Sequence, residues 1–561
     1  MYLAYDIKGI QKYIFAVPRL KYIIGGSLII ADFDKRTVAE EIKKAGLSPE
    51  ARIYSGGGRG LIEIDDNKQE CAQTLLKALI EAAHGDGLSI RIGINKEKTP
   101  APEDLELYPY VPESYKEFHL CQESGLYPVE REGQTHKLIQ TRKDIIKKDL
   151  PKKGCDFETN ILDEVRKLMS PEDCTAIQSV RFFRNVDAQD IDKDDPLSEV
   201  YASVNALGNR NRWAIVYMDG NDMGRQLKAL PANFDAIQKA KWMSKFSFYL
   251  DKCTCSAFYK ALANTISSWL KDNAQELREY TYYDTKTGEQ TLILPFRPLV
   301  LGGDDVAMIC HSAYAMQFVK QMSASFTETS KDMAEAYAKE NAGRHLWPAT
   351  GNSLTISAGI LYCKTKFPLP KAMEYAESLL SSAKGAFRSL SGDEPTPPAV
   401  DFDTITDSLV DSPAQRRQRE LEFIDGELGG TKVFLTRRPY LLQDKSQVKT
   451  ENAKNALTIN ELETDYMDVL KGDLKNSGRS LILPGLRQAW SLRTIFLASL
   501  AKNHPELKKL LQEDSRNGDS GDWWLDEPAS GTTPQRRRTA VIDALLLLDE
   551  QTRRMNQNTN E

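Results

Sequence analysis

Two acidic groups stand where apolar strands run out. Trp213–Met218 leads into Asp219-Gly220-Asn221-Asp222, and Thr291–Leu301 leads into Gly302-Gly303-Asp304-Asp305 before Val306–Cys310 resumes an apolar run. The second pattern is that of a β-hairpin with an acidic tip. A fold that sets these strands side by side gathers Asp219, Asp304 and Asp305 at one edge of a sheet. Carboxylates gathered in this way repel one another unless a cation lies between them. Mg²⁺ (or Mn²⁺) suits such a place, because Mg²⁺ takes oxygen ligands, keeps several waters and accepts the rest from nucleotide phosphates. The implied chemistry is phosphoryl or nucleotidyl transfer, one ion activating the attacking hydroxyl and a second neutralising the departing pyrophosphate. Gly302 and Gly303 leave room for phosphate or base to approach the backbone. Taken alone, either acidic stretch is also an ordinary exposed turn. Their occurrence within one α/β unit, on either side of a helical crossover, favours a shared site.

Such acids need a sheet to hold them. Leu354–Tyr362 reads as a further strand, the region from about 234 to 276 as largely helical, and Lys371–Phe387 as an amphipathic helix with Ala372, Tyr375, Ala376, Leu379, Leu380 and Ala383 on or near one face. SGDEPTPPA at 391–399 has the composition of a linker. An earlier α/β unit ends near residue 98, where a proline-rich connection begins. It has a strand at Leu3–Ile7, then strand, turn and strand over Ala51–Tyr54, Ser55–Gly58 and Leu61–Ile64, a helix over Gln69–Ala83 and a strand at Leu88–Ile92. The two units echo each other weakly, each opening on an apolar strand that ends in aspartate (Asp6, Asp219) and later showing a glycine-rich hairpin tip. Residues 400–561 carry helical patterns at Trp490–Leu500, Glu506–Leu511 and Thr539–Leu548 and read as a helical domain, with a surface loop from about 514 to 534 and a frayed tail from 551.

The whole chain has 561 residues, room for three or four domains at about 150 residues each. Its 41% hydrophobic and 27% charged residues describe a folded protein and exclude global disorder. Lys+Arg 74 against Asp+Glu 80 leaves a net charge of -6, which excludes a strongly basic nucleic-acid wrapper but not a local basic groove. Basic runs at Arg142–Lys148, Lys152–Lys153, Arg437–Arg438 and Arg536–Arg538 either contact RNA phosphates or are solvated surface charge. Asp6 and Lys8 interrupt the N-terminal apolar segment and no later run reaches the ~20 apolar residues needed to span a bilayer, so no membrane partner and a cytoplasmic location are expected. The eight cysteines lack the spacing of a disulfide scaffold and are expected to be reduced.

Taken in order, WAIVYMD (213–219), LPFRPLVLGGDD (294–305), LTISAGILYC (354–363) and KAMEYAESLLSSAKG (371–385) resemble the four successive signatures of the second palm domain in the large polymerase-like subunit of type III CRISPR effector complexes. More distantly they are similar to GGDEF nucleotide cyclases, from which the Asp-Asp ending departs. DIKGIQKYIF followed by IIGGSLI resembles that family's first palm. The resemblance implies an α+β chain of two ferredoxin-like palms: a first at 1–98, an intervening polar segment at 99–175, a second, GGDD palm at 176–390 and a helical C-terminal domain at 400–561.

The resemblance also implies roles. Asp219 and Asp304 match the metal-binding acids, Asp305 the second acid of the motif, and Lys384 the lysine expected near the triphosphate, where a flexible ammonium is suited. Gly220, Asn221, Asp222, Gly302, Gly303 and Lys384 form the expected nucleotide-binding set. Asn221 and Asp222 either touch ribose or base or close the turn, and Arg225 and Lys228 either reach phosphate or are exposed on a first helical turn. The activity implied is joining of ATP through 3′–5′ linkages into cyclic oligoadenylate messengers in antiviral defence, with RNA and further subunits of an RNA-guided complex as partners, or a homodimer if free-standing. Dinucleotide, linear or non-adenine products, or a non-catalytic nucleotide- or RNA-binding scaffold, are the alternatives. In the first palm Ser55-Gly56-Gly57-Gly58-Arg59 replaces the acidic tip, so that palm is expected to be silent. Ser27 after Gly25-Gly26, and Gly56–Gly58, are either turns or places of close phosphate approach. With the first palm signature at the start of the sequence and none of the six histidines followed by aspartate, the family's N-terminal nuclease is not expected. The spacing of His119, Cys121, Cys155 and Cys174 is too irregular for zinc to be expected, and Cys253 and Cys255 read as packing residues.

Overall fold

The computed structural model describes residues 1–149, 177–182, 212–272, 280–388, 395–487, 524–527 and 536–552, with the exception of short stretches inside those ranges. In the first unit, β1 (Tyr2–Lys8) carries the buried residues Leu3, Tyr5 and Ile7. After α1 (Leu20–Asp32) come β2 (Arg52–Gly56) and β3 (Arg59–Glu63), then α2 (Gln69–Gly85), β4 (Ser89–Asn95) and β5 (Glu106–Tyr108). The sheet order is β2-β3-β1-β4-β5, every pair antiparallel. Helix α2 covers the sheet with Ala72, Leu75, Leu79 and Ala83, the spacing of a single apolar stripe. Strand β5 lies beyond residue 98, so the proline-rich connection is in part an edge strand of this sheet.

Gly25-Gly26-Ser27 is neither a turn nor a phosphate loop, because it lies inside α1. A Cβ on Gly25 would stand 2.5 Å from the Arg142 carbonyl oxygen, and one on Gly26 3.2 Å from Arg142 Nη1. These glycines admit α3 (Lys137–Asp149), whose Arg142 is completely buried. Arg142 donates from Nη1 to the Tyr22 carbonyl at 3.0 Å and from Nη2 to the Tyr13 carbonyl at 2.7 Å, and its guanidinium lies 4.4 Å from the Tyr13 ring centroid. The first residue of the 142–148 basic run is therefore an internal strut and no RNA contact. Cys121 is buried in a small apolar cluster and its Sγ accepts the His136 N–H at 3.2 Å. Lys152, Lys153, Cys155 and Cys174 lie outside the described residues.

The second unit begins with β6 (Ile177–Phe182) and β7 (Arg212–Gly220), then α4 (Met223–Lys228) and the long α5 (Ala236–Asp272). There follow β8 (Thr281–Tyr283), β9 (Gln290–Leu294), β10 (Phe296–Gly302), β11 (Asp305–His311), α6 (Ser312–Glu340), β12 (Ile356–Lys364), α7 (Leu369–Phe387) and β13 (Ala399–Thr404). The strand expected over Thr291–Leu301 is two strands parted at Pro295, which has no N–H to give a ladder. β9 joins β6 and β8 in a small sheet, and β10 starts the main one. That main sheet runs β10-β11-β7-β12-β13 and ends on β16 (Tyr440–Leu441). β7 is its buried centre, with every side chain from Trp213 to Met218 in the core.

The C-terminal part differs from the helical expectation. β13 extends the palm sheet past residue 390, parallel to β12, and β14 (Glu422–Asp425), β15 (Thr431–Phe434), β17 (Trp524–Glu527) and β18 (Arg536–Thr539) form another sheet, in the order β14-β15-β18-β17. A helix, α8 (Val541–Thr552), follows β18. The helices expected at 490–500 and 506–511 lie outside the described residues. Among the basic runs, Arg438 is buried between Asp403 (3.2 Å) and Asp543 (2.9 Å), and Arg536 and Arg538 stand with Lys432 around the Phe434 ring. Among the described residues no helix is long and apolar enough to cross a membrane.

Candidate active site

The acids meet because the β10–β11 hairpin closes over the end of β7. Gly302 pairs with Asp305, leaving Gly303-Asp304 as a two-residue turn. Gly303 has φ +62° and Asp304 is not among the residues of positive φ, the sign pattern of a II′ turn with glycine first. β11 lies antiparallel to β7 through Met218 opposite Val306, which carries the tip to Asp219. Gly220 permits this approach. A Cβ there would stand 2.4 Å from Met223 Cε, 2.9 Å from Asp304 Cβ and 3.3 Å from Asp304 Oδ2.

Burial, the adjacent Asp219 charge and a hydrogen bond to Asp219 hold the Asp304 carboxyl well above the usual carboxylate range. Asp305 is pushed up to about 7, by burial first and then by Asp219, with Lys384 opposing and Glu377 adding to the rise. Lys384 comes from the last turn of α7. That helix rests directly on β12 at Gly359, where a Cβ would lie 2.1 Å from the Ala376 carbonyl oxygen. Its ammonium donates to Asp219 Oδ2 and, at 2.7 Å, to the Gly220 carbonyl. In this structure Lys384 thus grips the acidic cluster itself.

A cleft of about 810 Å³ opens beside these groups, lined by Asp219, Asp304 and Lys384, by the cations Arg225, Lys228 and Arg388, and by Pro348, Ala349 and Thr396. Gly220, Asn221 and Asp222 line it as well, whereas Gly302, Gly303 and Asp305 are not among the lining residues. Asn221 is buried and donates from Nδ2 to Thr355 Oγ1 at 3.0 Å. Asp222, at φ +60°, accepts the Thr396 N–H at 2.6 Å and the Thr396 hydroxyl at 3.0 Å. Of the two readings of Asn221 and Asp222, these bonds are those of loop closure, and they bring the 396 segment to the cleft wall. The tip glycine Gly303 is held from α5: Thr254 Oγ1 donates to its carbonyl at 2.6 Å, and its N–H donates to Asp251 Oδ1 at 3.4 Å.

Sequence reasoning missed Arg388, Thr396 and the Pro348–Ala349 wall. Arg388 stands four residues after Lys384, a spacing that offered a signal. The wall did not, because it depends on Gln226, buried in α4, whose Oε1 accepts the Ala349 N–H at 2.9 Å.

Among the described residues no three or more His, Cys, Asp or Glu side chains are grouped so as to hold a metal ion by themselves. The donor set nevertheless fits Mg²⁺. Asp219 and Asp304 face each other closely, burial and the Asp219 charge holding the Asp304 carboxyl above its ordinary range, and a divalent cation sharing its shell with water and phosphate needs only one or two such ligands.

In the first unit the same strand order gives a different outcome. Asp6 is opposite Arg59, the residue that pairs with Gly56 across the hairpin as Asp305 pairs with Gly302. Arg59 Nε lies 3.2 Å from Asp6 Oδ1, and Lys8 contacts the same carboxylate. Side-chain cations already neutralise Asp6.

An apolar central strand flanked by a hairpin with an acidic tip defines a palm of the polymerase and nucleotide-cyclase kind. Residues 212–389 match the family model described as Cas10/Cmr2, second palm domain. No curated protein matches significantly. Solved structures similar to the chain include a Csm1-Csm4 cassette in complex with cA4 (15% identity, TM-score 0.33, covering 68% of this chain and 52% of that one). Others are the apo Csm1-Csm4 cassette (16%, 0.33, 70% and 55%) and Csm1 in T. onnurineus (15%, 0.33, 70% and 54%). The chain therefore spans a little over half the length of these chains.

Proposed function

We propose that this chain is a Mg²⁺-dependent nucleotidyltransferase that converts ATP into cyclic oligoadenylates. The observation carrying the reading is the Asp219–Asp304 pair beside a cleft whose other charges are the cations Arg225, Lys228, Lys384 and Arg388 and the acid Asp222, which is engaged by Thr396. In each step the 3′-oxygen of one adenylate forms a bond to the α-phosphorus of the next, the bond to pyrophosphate breaks, and the hydroxyl proton is lost. Ring closure is the same step within one chain, so each ATP consumed releases one pyrophosphate. Asp219 and Asp304 would hold Mg²⁺, which when bound supplies positive charge to the α-phosphate and to the attacking and departing oxygens. Lys384, Lys228, Arg225 and Arg388 attract the triphosphate and orient it. The Gly302–Asp305 turn keeps Asp304 over β7, and Asp305 reinforces the negative field that favours a cation. The first palm contributes no second set of acids, since Arg59 and Lys8 neutralise Asp6. By its resemblance to the large subunit of type III CRISPR effector complexes, the chain acts with other subunits of an RNA-guided complex.

The test is to incubate the purified full chain with ATP and Mg²⁺, with and without candidate RNA, and to identify products by mass spectrometry. A cyclic product lost in Asp304→Ala/Asp305→Ala, with folding retained, is the expected result. Near-normal synthesis by that double variant would overturn the assigned site. Linear or non-adenine products would revise the chemistry, and absence of Mg²⁺-dependent turnover with every activator would favour a scaffold.

A further inference from the structure

We infer that Thr254 and Asp251 are positioning residues for the catalytic hairpin tip, and that Lys35 of the first palm acts on that tip through Asp251. The inference rests on the proposed function only in calling the tip catalytic. A two-residue turn leaves its own peptide groups outside the strand ladder, and here both polar groups of Gly303 are taken by α5. Thr254 Oγ1 donates to its carbonyl at 2.6 Å, and its N–H donates to Asp251 Oδ1 at 3.4 Å. Thr254 is completely buried. A threonine inside a helix commonly turns its hydroxyl to the carbonyl four residues back, as Thr265 of the same helix does to Ala261 at 2.8 Å. The Thr254 hydroxyl instead crosses to the hairpin.

Ser247, Asp251 and Thr254 share one face of α5, following each other at intervals of four and three residues. The upper end of this stripe meets the first palm's own hairpin, where a Cβ on Gly56 would lie 3.6 Å from Ser247 Oγ. Asp251 serves both palms: Oδ1 accepts from Gly303, and Oδ2 lies 3.8 Å from Lys35 Nζ. Lys35 directly follows Asp34, whose Oδ2 accepts the Gly58 N–H at 2.7 Å. One helical stripe therefore stands between the two hairpin tips, and the silent palm is connected to the acidic one by an ion pair and the Gly303 N–H bond. Asp304 follows Gly303, so a loosened Gly303 moves that carboxylate relative to Asp219 while leaving the cations of the cleft in place. Turnover should suffer and substrate binding should not.

The test uses the full chain, with amide hydrogen exchange over residues 302–305 read beside steady-state turnover of ATP. Thr254→Val keeps shape and removes the donor. It should raise exchange at the tip and lower kcat roughly 10- to 100-fold, with KM for ATP changed less than about 2-fold. Thr254→Ser, which restores the hydroxyl, should recover both. Lys35→Ala alters a side chain that is 63% exposed and so reports without disturbing the core; it should raise tip exchange and lower kcat by about 2- to 5-fold, and Lys35→Arg should recover them. Wild-type exchange in both Thr254→Val and Lys35→Ala, or no recovery in Thr254→Ser, would overturn the inference. Exchange is measurable whether or not product forms. A loosened tip in a chain that makes no product overturns the proposed function and upholds the clamp; an unchanged tip in an active chain does the reverse.

Discussion

Asp304 and Asp305 hold protons at pH values where carboxylic acids are ordinarily ionised, and the cause lies first in burial and then in Asp219. A cation that binds the ionised cluster must first displace those protons. Mg²⁺ affinity should therefore rise with pH through the region around 7 set by Asp305, by as much as about 10-fold per pH unit for each proton displaced. Isothermal titration of Mg²⁺ in two buffers of different ionisation enthalpy, at pH 6, 7 and 8, measures both the affinity and the proton release. Asp305→Asn should remove the part of the slope centred near pH 7 and leave that of Asp304, and a wild-type affinity constant across that range would contradict the assignment. The acids themselves were legible in the sequence, since strand ends and a Gly-Gly-Asp-Asp tip announce them. Their neighbours were less so. Gly220 reads as a turn residue, and only the 2.9 Å that would separate its Cβ from that of Asp304 shows that it clears the way for the tip. Thr254 gives no signal at all, because nothing in a helical pattern tells which hydroxyl crosses to another element.

The two hairpins compare the same element under different sequence. In the first palm Gly57 and Gly58 both have positive φ (+63° and +77°), the type I′ form, whereas the second tip needs positive φ at Gly303 alone and so can carry an acid at its second position. The strands and the principal helices of both palms followed from apolar periodicity. The π-helical turn at Phe33–Thr37, which has no comparable pattern, did not. It buries Asp34 against the first hairpin, where the carboxylate accepts from Gly58 N–H and from the Tyr5 hydroxyl, both at 2.7 Å. Desolvation outweighs these bonds and pushes Asp34 up from 3.8 to about 6. The folded state then holds this proton more tightly than the unfolded chain. Its contribution to stability is full below about pH 4 and is lost as pH rises to about 6, a change of about 3 kcal/mol. Urea unfolding between pH 4 and 7 should show a decline steeper by about that amount in the wild type than in Asp34→Asn. Asp86, also raised to about 6 by burial, and the raised acids Asp304 and Asp305 add declines common to both proteins, so the difference between the two curves isolates Asp34.

At the scale of the molecule, charge is spent on joining parts as well as on the cleft. Strand β13 escaped the sequence reading because Asp401 and Asp403 make it look polar, yet all six of its residues are buried. Arg417 supplies a two-pronged partner to Asp401 at 2.5 and 2.8 Å, and Arg438 pairs with Asp403. Pairing that depends on arginines this far along the chain cannot be read from a local pattern, which is why the sequence pattern alone ends the palm at 390 and reads the remainder as helical. The same logic binds α8 to the palm. Arg212, at the start of central strand β7, lies 2.5 Å from Glu550, which is 1% exposed. Removing the cation takes the Arg212 charge away from a carboxylate that is itself buried, and Arg212→Ala should cost on the order of 3–5 kcal/mol of stability. Glu550→Gln should cost less, since the neutral amide is cheaper to bury and Arg212 retains access to water. If the pair serves docking and adds little net stability, Arg212→Met combined with Glu550→Leu should recover most of the loss, because apolar groups of similar volume bear no desolvation cost. Denaturant unfolding followed by tryptophan fluorescence measures all three. A double variant no better than Arg212→Ala would mean that the ion pair itself, and not the filled space, holds the C-terminal helix to the palm.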